Sequence, residues 1–467
     1  MNIITSASVK DICERIFALE AEHGLLDLQV DGVKVWQFRR MHIYYRIAQA
    51  CGVLDDPQPI QHDFVSVLKR RYHNVSSILL HSPFNCSEQV DILIFDHARS
   101  KLIDGVPVDI YTHFLLHRLR EEGQRVLVVE GSWQGRHVRP LSPERRHMEA
   151  INFRYFLDLV AGRHRCSAEG MRQIEVVHRL VQDTFGIAVD LRKLLRESVQ
   201  RFKSNARSYE VLLNRVRPKC VYFVVGYSHF APLVHVARAM GIRTVELQHG
   251  VISRYHLGYS FPGKPVLEYF ADSLESWGAY WGDLPELPLP RKQVVDSGFP
   301  YFHYMSKMHS GIKRQSGQLL VLSQTAIGQD LAQKVLQAVE SSRVAIRIMY
   351  KLHPGEFLSW RKNQALVRLS ALPNVEIIDR DCDLYRLLAE SEYQTGVFST
   401  AIFEGIQMGC KTILFNLPGI EYMDNLLEKG MVVCYDETCT LEENLRGADA
   451  VVSTIGNGEL FGPAAEF

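Results

Sequence analysis

The feature that most limits the fold is an alternation of short apolar strands with helices, which occurs in both halves of the chain. In the first half, residues 91–95 and 125–129 are apolar runs, and the segment 112–122 between them has the spacing of a helix. Strand, helix and strand at this spacing predict a βαβ unit and therefore a parallel sheet. Such strands are apolar throughout because both faces of the sheet are covered.

The same alternation continues and then restarts in the second half. Further strands are predicted in both halves, with helices between them, at residues 220–225, 244–247, 319–322, 345–351, 375–378, 395–398 and 412–415. With 467 residues the chain exceeds the roughly 250–300 residues of a single core. The predicted fold class is α/β and GT-B-like, with two doubly wound Rossmann-type domains that face a cleft and an N-terminal helical extension.

Domain boundaries follow from this pattern and from the turn- and linker-forming residues between the segments. The predicted divisions are a helical extension over 1–80, an acceptor domain over 81–300, a nucleotide-donor domain over 301–455 and a flexible tail over 456–467. The proline-rich stretch 284–290 is the best candidate for a linker, so that domain closure is expected about residues 283–300.

Composition excludes several classes of protein. Lys plus Arg and Asp plus Glu are both 53, and zero net charge gives no support for a nucleic-acid partner. Nine scattered cysteines, none in a CxxC pair, argue against a disulfide framework or a zinc ribbon. The start shows no signal peptide and no stretch has the ~20 apolar residues of a membrane helix. A cytoplasmic location is expected, and peripheral association with the inner face of a membrane stays open.

The first candidate site follows the strand that ends near Tyr350. Lys351 and His353 are two residues apart on an extended chain and therefore point to the same side, and Pro354 forces a turn. An ammonium and an imidazole N–H together can bind a phosphate. Glu356 lies in the same turn. A turn with a solvated lysine and a satisfied histidine is an equally good interpretation of this segment alone.

The second candidate site is a strand that runs into a helix at Ser399-Thr400. A hydroxyl residue at a helix N-terminus, beside free N–H groups, can bind an anion. Glu404 lies one turn further, where a carboxylate could bind ribose hydroxyls. A plain N-cap with a surface glutamate is the alternative. That alternative is less favoured because both candidate sites lie at the same edge of a parallel sheet, and ligands of such sheets bind at that edge.

The third candidate site follows the strand 244–247, in the first half. His249 lies in the Gln248-His249-Gly250 loop, and histidine titrates near neutral pH, as a general base requires. Polar residues nearby that suit an anionic or sugar acceptor are Arg254, His256 and Tyr259. Weaker candidates for the cleft wall, which follow other predicted strands, are Asp96, Glu130 and His229.

Other familiar signals are missing from the sequence. It contains no GxxxxGK[ST] loop, no GxGxxG fingerprint, no GxSxG elbow and no HExxH motif. The acidic run 379–383 is better explained by helix capping than by a metal, so neither a metal nor a cofactor is predicted. Residues 36–51 mix arginines with aromatic residues. An amphipathic helix with a solvated basic edge is the favoured interpretation, and a patch for an anionic acceptor or lipid head group is the alternative.

The order of these motifs resembles GT-B enzymes of bacterial surface-polysaccharide assembly. Those enzymes include capsule Kdo transferases, sialyltransferases with a His-Pro motif, and the CDP-glycerol glycerophosphotransferases of teichoic acid synthesis. The resemblance implies that His353 and Pro354 hold a nucleotide, Ser399 and Thr400 its phosphate, and Glu404 its ribose, while His249 acts as base. The sequence departs from those families at two places. The sialyltransferases have an acidic-acidic-Gly motif where this chain has Gln248-His249-Gly250, and the glycerophosphotransferases usually have an aspartate where Val397-Phe398 stand.

The resulting prediction is a metal-independent glycosyltransferase. It would move a sugar from a nucleotide-activated donor, with CMP-linked Kdo or sialic acid favoured, to a capsule, O-antigen or lipopolysaccharide glycan, free or lipid-linked. The nucleotide sugar is a co-substrate, and no cofactor is expected. Three alternatives remain: a CDP-polyol phosphotransferase of the teichoic-acid type, a nucleotide-sugar 2-epimerase that needs no acceptor, and a non-catalytic partner in polysaccharide assembly.

Overall fold

The structure is a computed structural model that describes residues 8–54, 75–133, 136–284, 286–344, 346–451 and 459–462. The predicted extension over 1–80 is therefore described at 8–54 and 75–80, and the predicted tail over 456–467 at 459–462; the remaining residues of both lie outside the described parts.

The first domain is built on a seven-stranded, entirely parallel sheet with the order β5-β4-β1-β6-β7-β8-β9. An antiparallel hairpin of β2 and β3 leaves the sheet directly after β1. The strands are β1 (Ile92–Asp96), β2 (Ser100–Ile103), β3 (Val106–Asp109), β4 (Val126–Glu130), β5 (Arg145–His147), β6 (Cys220–Val224), β7 (Arg243–Leu247), β8 (Ser273–Ser276) and β9 (Val294–Asp296).

The second domain is built on a six-stranded parallel sheet with the order β12-β11-β10-β13-β14-β15. Its strands are β10 (Gln315–Leu322), β11 (Ile348–Lys351), β12 (Val375–Ile378), β13 (Ser391–Gly396), β14 (Lys411–Leu414) and β15 (Val433–Cys434). The predicted fold class, two doubly wound α/β domains with an N-terminal helical part, is confirmed.

Helices connect the strands and cover both sheets. They are α1 (Val9–His23), α2 (Val35–Ala50), α3 (His113–Glu121), α4 (Glu149–Val160), α5 (Ala168–Phe185), α6 (Arg192–Val216), α7 (Gly226–His229), α8 (Ala231–Ala239), α9 (Ala279–Gly282), α10 (Pro300–Met308), α11 (Gly328–Ser341), α12 (Gln364–Ser370), α13 (Leu384–Glu390), α14 (Thr400–Gln407), α15 (Asp424–Glu428) and α16 (Leu441–Asp449). No helix in the described ranges is both long and apolar enough to span a membrane.

The proline-rich stretch is not the linker that the sequence suggested. Leu287 and Leu289 are buried in an apolar cluster that contains residues of both domains, and β9 pairs with β8 at the edge of the first sheet. The connection between the domains therefore runs through α10, after residue 296. The proline-rich composition indicated an irregular path. In the structure Leu287 and Leu289 of this stretch are buried, so it is not an exposed linker between the domains.

The four described residues of the predicted flexible tail are held by the first domain. Leu460 and Phe461 are fully buried. Trp281 Nε1 donates to Leu460 O at 2.6 Å, and Phe299 N donates to Phe461 O at 3.1 Å. Gly278 permits this contact, because a Cβ there would lie 2.4 Å from Glu459 O. The chain thus returns from the second domain to the first, which the Gly- and Ala-rich composition did not indicate.

The N-terminal helices are part of the first domain. The buried faces of α1, α2, α5 and α6 share one core. Arg40 on α2 lies inside it and is fully paired: its Nε and Nη2 donate to Glu20 at 2.5 and 2.7 Å, and its Nη1 donates to the carbonyls of Leu257 and Ser260, both at 2.6 Å. These bonds tie the extension to the loop that follows His249.

We expect Arg40→Gln to destabilise the protein by about 3–5 kcal/mol, because the substitution leaves the buried carboxylate of Glu20 without its cation. Urea unfolding followed by circular dichroism measures the change. Arg179→Gln, at an exposed pair with Glu175, is the control and should change stability by less than about 1 kcal/mol. Equal effects of the two substitutions would contradict this assignment.

Candidate functional site

The candidate residues gather where each sheet reverses its strand order. In the first sheet the order reverses between β1 and β6, and in the second between β10 and β13. Ligands of doubly wound sheets bind beside the carboxyl ends of the strands at such points. The loops there are residues 97–99 and 225–229 in the first domain, and residues 323–325 and 397–400 in the second.

Lys351 is the last residue of β11 and His353 follows it by two positions, which places both at this edge, as predicted. Burial lowers the pKa of Lys351, and the nearby Lys101 and Arg99 lower it further. Burial, Lys351 and Arg99 likewise lower the pKa of His353. Several cationic groups therefore crowd together, an arrangement that an anion would relieve.

The hydrogen bonds of His353 fix which ring nitrogen can donate. Its Nδ1 accepts from Gly355 N at 3.1 Å and lies 2.6 Å from Thr325 Oγ1. An accepting Nδ1 carries no proton, so in the neutral ring the proton is on Nε2. Because the His353 side chain is exposed, Nε2–H is a donor that a phosphate oxygen could use.

Both carboxylate oxygens of Glu356 are engaged within the protein. It is buried, with Oε2 accepting from His353 N at 2.8 Å and Oε1 from Ser323 Oγ at 3.1 Å. Gly328 leaves room for it, since a Cβ there would lie 2.1 Å from Glu356 Oε1. Glu356 thus shapes the short 3₁₀ turn that begins at the exposed Pro354 and so positions His353.

Ser399 and Thr400 begin α14, also as predicted. Ser399 is the N-cap, and its Oγ accepts from Ala401 N at 3.2 Å. Glu404 lies one turn on, where it is buried and accepts from Tyr385 Oη at 2.9 Å. Burial raises the pKa of Glu404, against the effects of Tyr385, Arg99 and Lys351.

The loop after β10 joins these two motifs and was missed at the sequence level. Gln324 Nε2 donates to Phe398 O at 2.7 Å, beside Ser399, while Thr325 contacts His353. Ser323 holds Glu356. The signal was available: polar residues 323–325 directly follow a predicted strand, as in the motifs that were selected.

His249 lies after β7 and belongs to a buried chain of hydrogen bonds. Tyr259 Oη donates to Glu246 Oε1 at 2.7 Å and lies 3.0 Å from His249 Nδ1. Because the only hydroxyl proton of Tyr259 goes to Glu246, its oxygen accepts from Nδ1–H of His249. The lone pair of the imidazole is then on Nε2, which lies 3.4 Å from Tyr227 Oη.

The electrostatic environment keeps His249 neutral. Burial lowers its pKa to about 3, with further lowering by His256 and His97. Burial also raises the pKa of Glu246 to about 7. A neutral imidazole whose Nε2 carries the lone pair is the state that accepts a proton, and here Tyr227 Oη is the hydrogen-bond donor to that nitrogen at 3.4 Å.

The other residues that were predicted to lie around His249 differ from one another in burial and in the groups they contact. Gln248 is buried and structural: its Oε1 accepts from Trp277 N at 2.8 Å, and its Nε2 donates to Gly250 O at 2.9 Å. His256 is half-buried, with its ring 5.1 Å from that of Tyr259. Arg254 is exposed and its Nε lies 3.4 Å from Glu286. Of this group, Tyr259 is the residue that contacts His249.

The two domains meet at these motifs. A Cβ built on Gly250 would lie 3.7 Å from Thr400 Oγ1, so the His249 loop faces the start of α14. Tyr111 Oη donates to His249 O at 3.0 Å and is also bonded to Arg99. The charge of Arg99 in turn acts on Glu404 and His353 of the second domain. Lys101 pairs with Asp381 across the same boundary at 2.8 Å.

Asp96 and Glu130 are not cleft residues, contrary to the expectation. Both are buried, and Arg145 Nη1 bridges them at 2.5 and 2.7 Å. Against the effect of burial, hydrogen bonds to Glu130 and Glu149 raise the pKa of His137 to about 9. The carboxylates of Asp96 and Glu130 are therefore engaged with the cations of Arg139 and Arg145. In the described part of the chain, Glu130, His137 and His147 form one group that could hold a metal ion, because one potential ligand atom of each lies within 4.8 Å of the others.

We expect stability to fall as the pH drops from about 6.5 toward 4. Burial lowers the pKa of His256 to about 4 and that of His249 to about 3, whereas both take up protons near 6.5 in the unfolded chain. In that window the unfolded chain binds more protons, so acid favours unfolding. Urea unfolding at pH 7.5 and 5.5 measures the difference. His256→Gln should reduce it, and an unchanged difference in this variant would contradict the assignment.

Comparison with known proteins gives likeness in structure alone. No protein-family model and no curated protein matches the sequence. Among solved structures, the UDP-GlcNAc 2-epimerase of Methanocaldococcus jannaschii has a TM-score of 0.48 at 9% identity, covering 81% of this chain and 96% of that one. MurG of Acinetobacter baumannii has 0.42 at 10% identity, covering 77% and 89%. The spinosyn forosaminyltransferase SpnP has 0.39 at 12%, covering 78% and 90%.

Proposed function

We propose that the protein is a glycosyltransferase that moves a sugar from a nucleotide-activated donor to a hydroxyl of a glycan acceptor. The observation that carries the proposal is that the loop of His249 meets the start of α14 across the domain boundary. A Cβ placed on Gly250, the residue after His249, would lie 3.7 Å from Thr400 Oγ1. A base on one domain and an anion site on the other are the two parts that transfer from a nucleotide requires.

The donor is held by the second domain. Its phosphate oxygens accept from Lys351, from Nε2–H of His353 and from the N–H groups at the start of α14. Positive groups aimed at the leaving phosphate stabilise the charge that develops there, and each is worth a few kcal/mol in such sites. Arg99, from the first domain, adds a further cation when the cleft is occupied. These groups support transfer without a metal.

The acceptor is activated by His249. Its Nε2 takes the proton of the attacking hydroxyl, and the imidazolium that forms shares its Nδ1–H with Tyr259 and, through it, with Glu246. Tyr259 is a positioning residue, because it fixes the tautomer without touching the acceptor. This series of hydrogen bonds is analogous to the arrangement in hydrolases in which a carboxylate orients a catalytic histidine.

CMP-linked Kdo or sialic acid is the favoured donor, with a growing capsule, O-antigen or lipopolysaccharide glycan as acceptor. The support is the Lys351–Pro354 turn beside the Ser399-Thr400 helix start, as in the enzymes that these motifs resemble. A CDP-polyol phosphotransferase would use the same phosphate site. Turnover with CMP-sialic acid, CMP-Kdo, CDP-glycerol and UDP-GlcNAc, each with a mixture of bacterial glycan acceptors, separates these donors.

A nucleotide-sugar 2-epimerase is the second candidate, and the pKa values of two carboxyl groups favour it. Burial raises the pKa of Glu246 to about 7 and also raises that of Glu404. A carboxyl group with the pKa of Glu246 can exchange a proton with a sugar near neutral pH. Incubating the protein with UDP-GlcNAc and no acceptor is decisive: formation of the 2-epimer would establish the epimerase and overturn the transferase, which requires an acceptor for turnover.

Work at the cytoplasmic face of a membrane is also proposed. Helix α4 exposes Phe156 and Val160, at 54% and 70%, on the first domain. We expect the protein to float with vesicles that contain anionic lipid, and Phe156→Ser to reduce this binding by several-fold. Equal flotation of the variant, or none by the wild type, would remove membrane contact from the proposal.

A further inference from the structure

Two neighbouring arginines on α2 have opposite environments. Arg40 donates to a carboxylate and two carbonyls, as described above. Arg39 is also buried, with 7% of its surface exposed, yet it makes one described hydrogen bond, from Nε to Ser198 Oγ at 2.7 Å. Within the described ranges, no carboxylate or carbonyl accepts from its Nη groups. A buried guanidinium without a counter-ion costs stability, so its retention calls for a reason other than folding.

Further cationic or unpaired groups surround Arg39. His42 lies one turn further along the same face of α2, and its Nδ1 is buried without a partner in the described chain. Arg201, on the packed helix α6, lies with its guanidinium 4.4 Å from the centre of the Tyr155 ring. His229 ends α7, which also packs against α2.

The pKa values of this cluster agree with its geometry. Burial and Arg201 lower the pKa of Arg39 to about 10. Burial, Arg39 and His229 lower the pKa of His42 to about 4. Burial, Arg39 and Arg201 lower the pKa of His229. None of the described groups that act on these three residues is a carboxylate, so the positive charge of Arg39 is uncompensated there.

The cluster lies next to the proposed base. Helix α7 spans four residues and carries Tyr227, whose Oη is 3.4 Å from His249 Nε2, two positions before His229. The charge of His229 also acts on His97, which in turn acts on His249. Helix α7 therefore contacts His249 through Tyr227 and packs against α2, the helix that carries Arg39.

We propose that Arg39, His42, Arg201 and His229 form a subsite for an oxyanion of the acceptor, a phosphate or a carboxylate, beside His249. The proposal rests on the proposed function, because it names the chemistry of the acceptor that this function requires. Two guanidinium groups bind such oxyanions in a fixed, directional way, which selects for acidic acceptors. The subsite is separate from Lys351 and Ser399, which belong to the other domain.

The test uses inorganic phosphate and glucuronate as probes of the two oxyanions. Because phosphate should also bind the donor edge, titrations are made in Lys351→Ala, where that edge is disabled, and in Lys351→Ala/Arg39→Gln. We expect saturable binding of at least one probe in the first protein and a loss of at least tenfold in affinity in the second. Arg39→Lys should retain part of the affinity, and Arg179→Gln all of it. Whether the protein binds phosphate, glucuronate or both shows which oxyanion the subsite accepts.

Stability separates a binding role for Arg39 from a structural one. With no probe present, Arg39→Gln should unfold at the same temperature as wild type or a higher one, whereas Arg40→Gln should unfold at a lower temperature. Destabilisation of Arg39→Gln equal to that of Arg40→Gln, with unchanged probe affinity, would overturn the subsite. Nucleotide binding by the second domain would survive that result. Conversely, failure to bind any nucleotide while the probes still depend on Arg39 would overturn the transferase and leave an oxyanion site.

Discussion

We expect His249→Ala to lower the rate of glycosyl transfer by about two to four orders of magnitude and to leave nucleotide affinity unchanged. General bases contribute accelerations of this size, and His249 belongs to the first domain, away from the phosphate edge of the second. Initial rates with a CMP-sugar donor measure the first effect, and calorimetric titration with CMP, CDP and UDP measures the second.

Tyr259→Phe is the matched variant for this prediction. It removes the hydroxyl that joins His249 to Glu246 and leaves the imidazole in place. A smaller loss of rate is expected, together with a changed pH profile, because the imidazole tautomer is no longer fixed. A purely structural tyrosine would lower stability without moving the profile. Unchanged turnover in His249→Ala would refute the base assignment.

We expect Lys351→Ala and His353→Ala each to weaken nucleotide binding by about 10- to 150-fold. A lost hydrogen bond to a charged group costs about 1.5–3 kcal/mol, which converts to that range. Lys351 ends β11 and His353 lies two positions later, and among the described residues the other cations that act on them are Lys101 and Arg99. Calorimetric titration with the preferred nucleotide measures both variants.

Arg361→Ala is the control for the donor edge. Arg361 is an exposed cation in the same segment, 3.7 Å from Asp379, and lies outside the candidate site. Its removal should change nucleotide affinity by less than twofold. If it weakened binding as much as Lys351→Ala, the effect would be a general one of net charge, and the assignment of Lys351 as a phosphate ligand would fail.

The fold could be predicted where strands are buried on both faces. The central strands β1, β4, β6 and β10 are apolar runs, and each was predicted within one to four residues of its observed bounds. The short strands β5, β8 and β9, of which β5 and β9 form the two edges of the first sheet, were not predicted. Their sequences Arg-Arg-His, Ser-Leu-Glu-Ser and Val-Val-Asp contain no apolar run of useful length.

The candidate site could be predicted only in part, for a related reason. Lys351, His353, Ser399 and His249 follow buried strands, and the strand ends place them. The carboxylates could not be assigned in the same way. Asp96 and Glu130 end β1 and β4, but both are buried and accept from Arg145, and Glu356 accepts from Ser323, 33 positions earlier. The direction of a carboxylate depends on distant cations and hydroxyls, which no local pattern shows.

The central claim is that a nucleotide phosphate binds where Lys351, His353 and the start of α14 meet. Calorimetric titration of the wild-type protein and Lys351→Ala with CMP, CDP and UDP tests it most directly. The account predicts saturable binding of at least one nucleotide by the wild type, with one site per chain, and at least tenfold weaker binding by Lys351→Ala. Binding of none of the three by the wild type, or equal binding by both proteins, would contradict it.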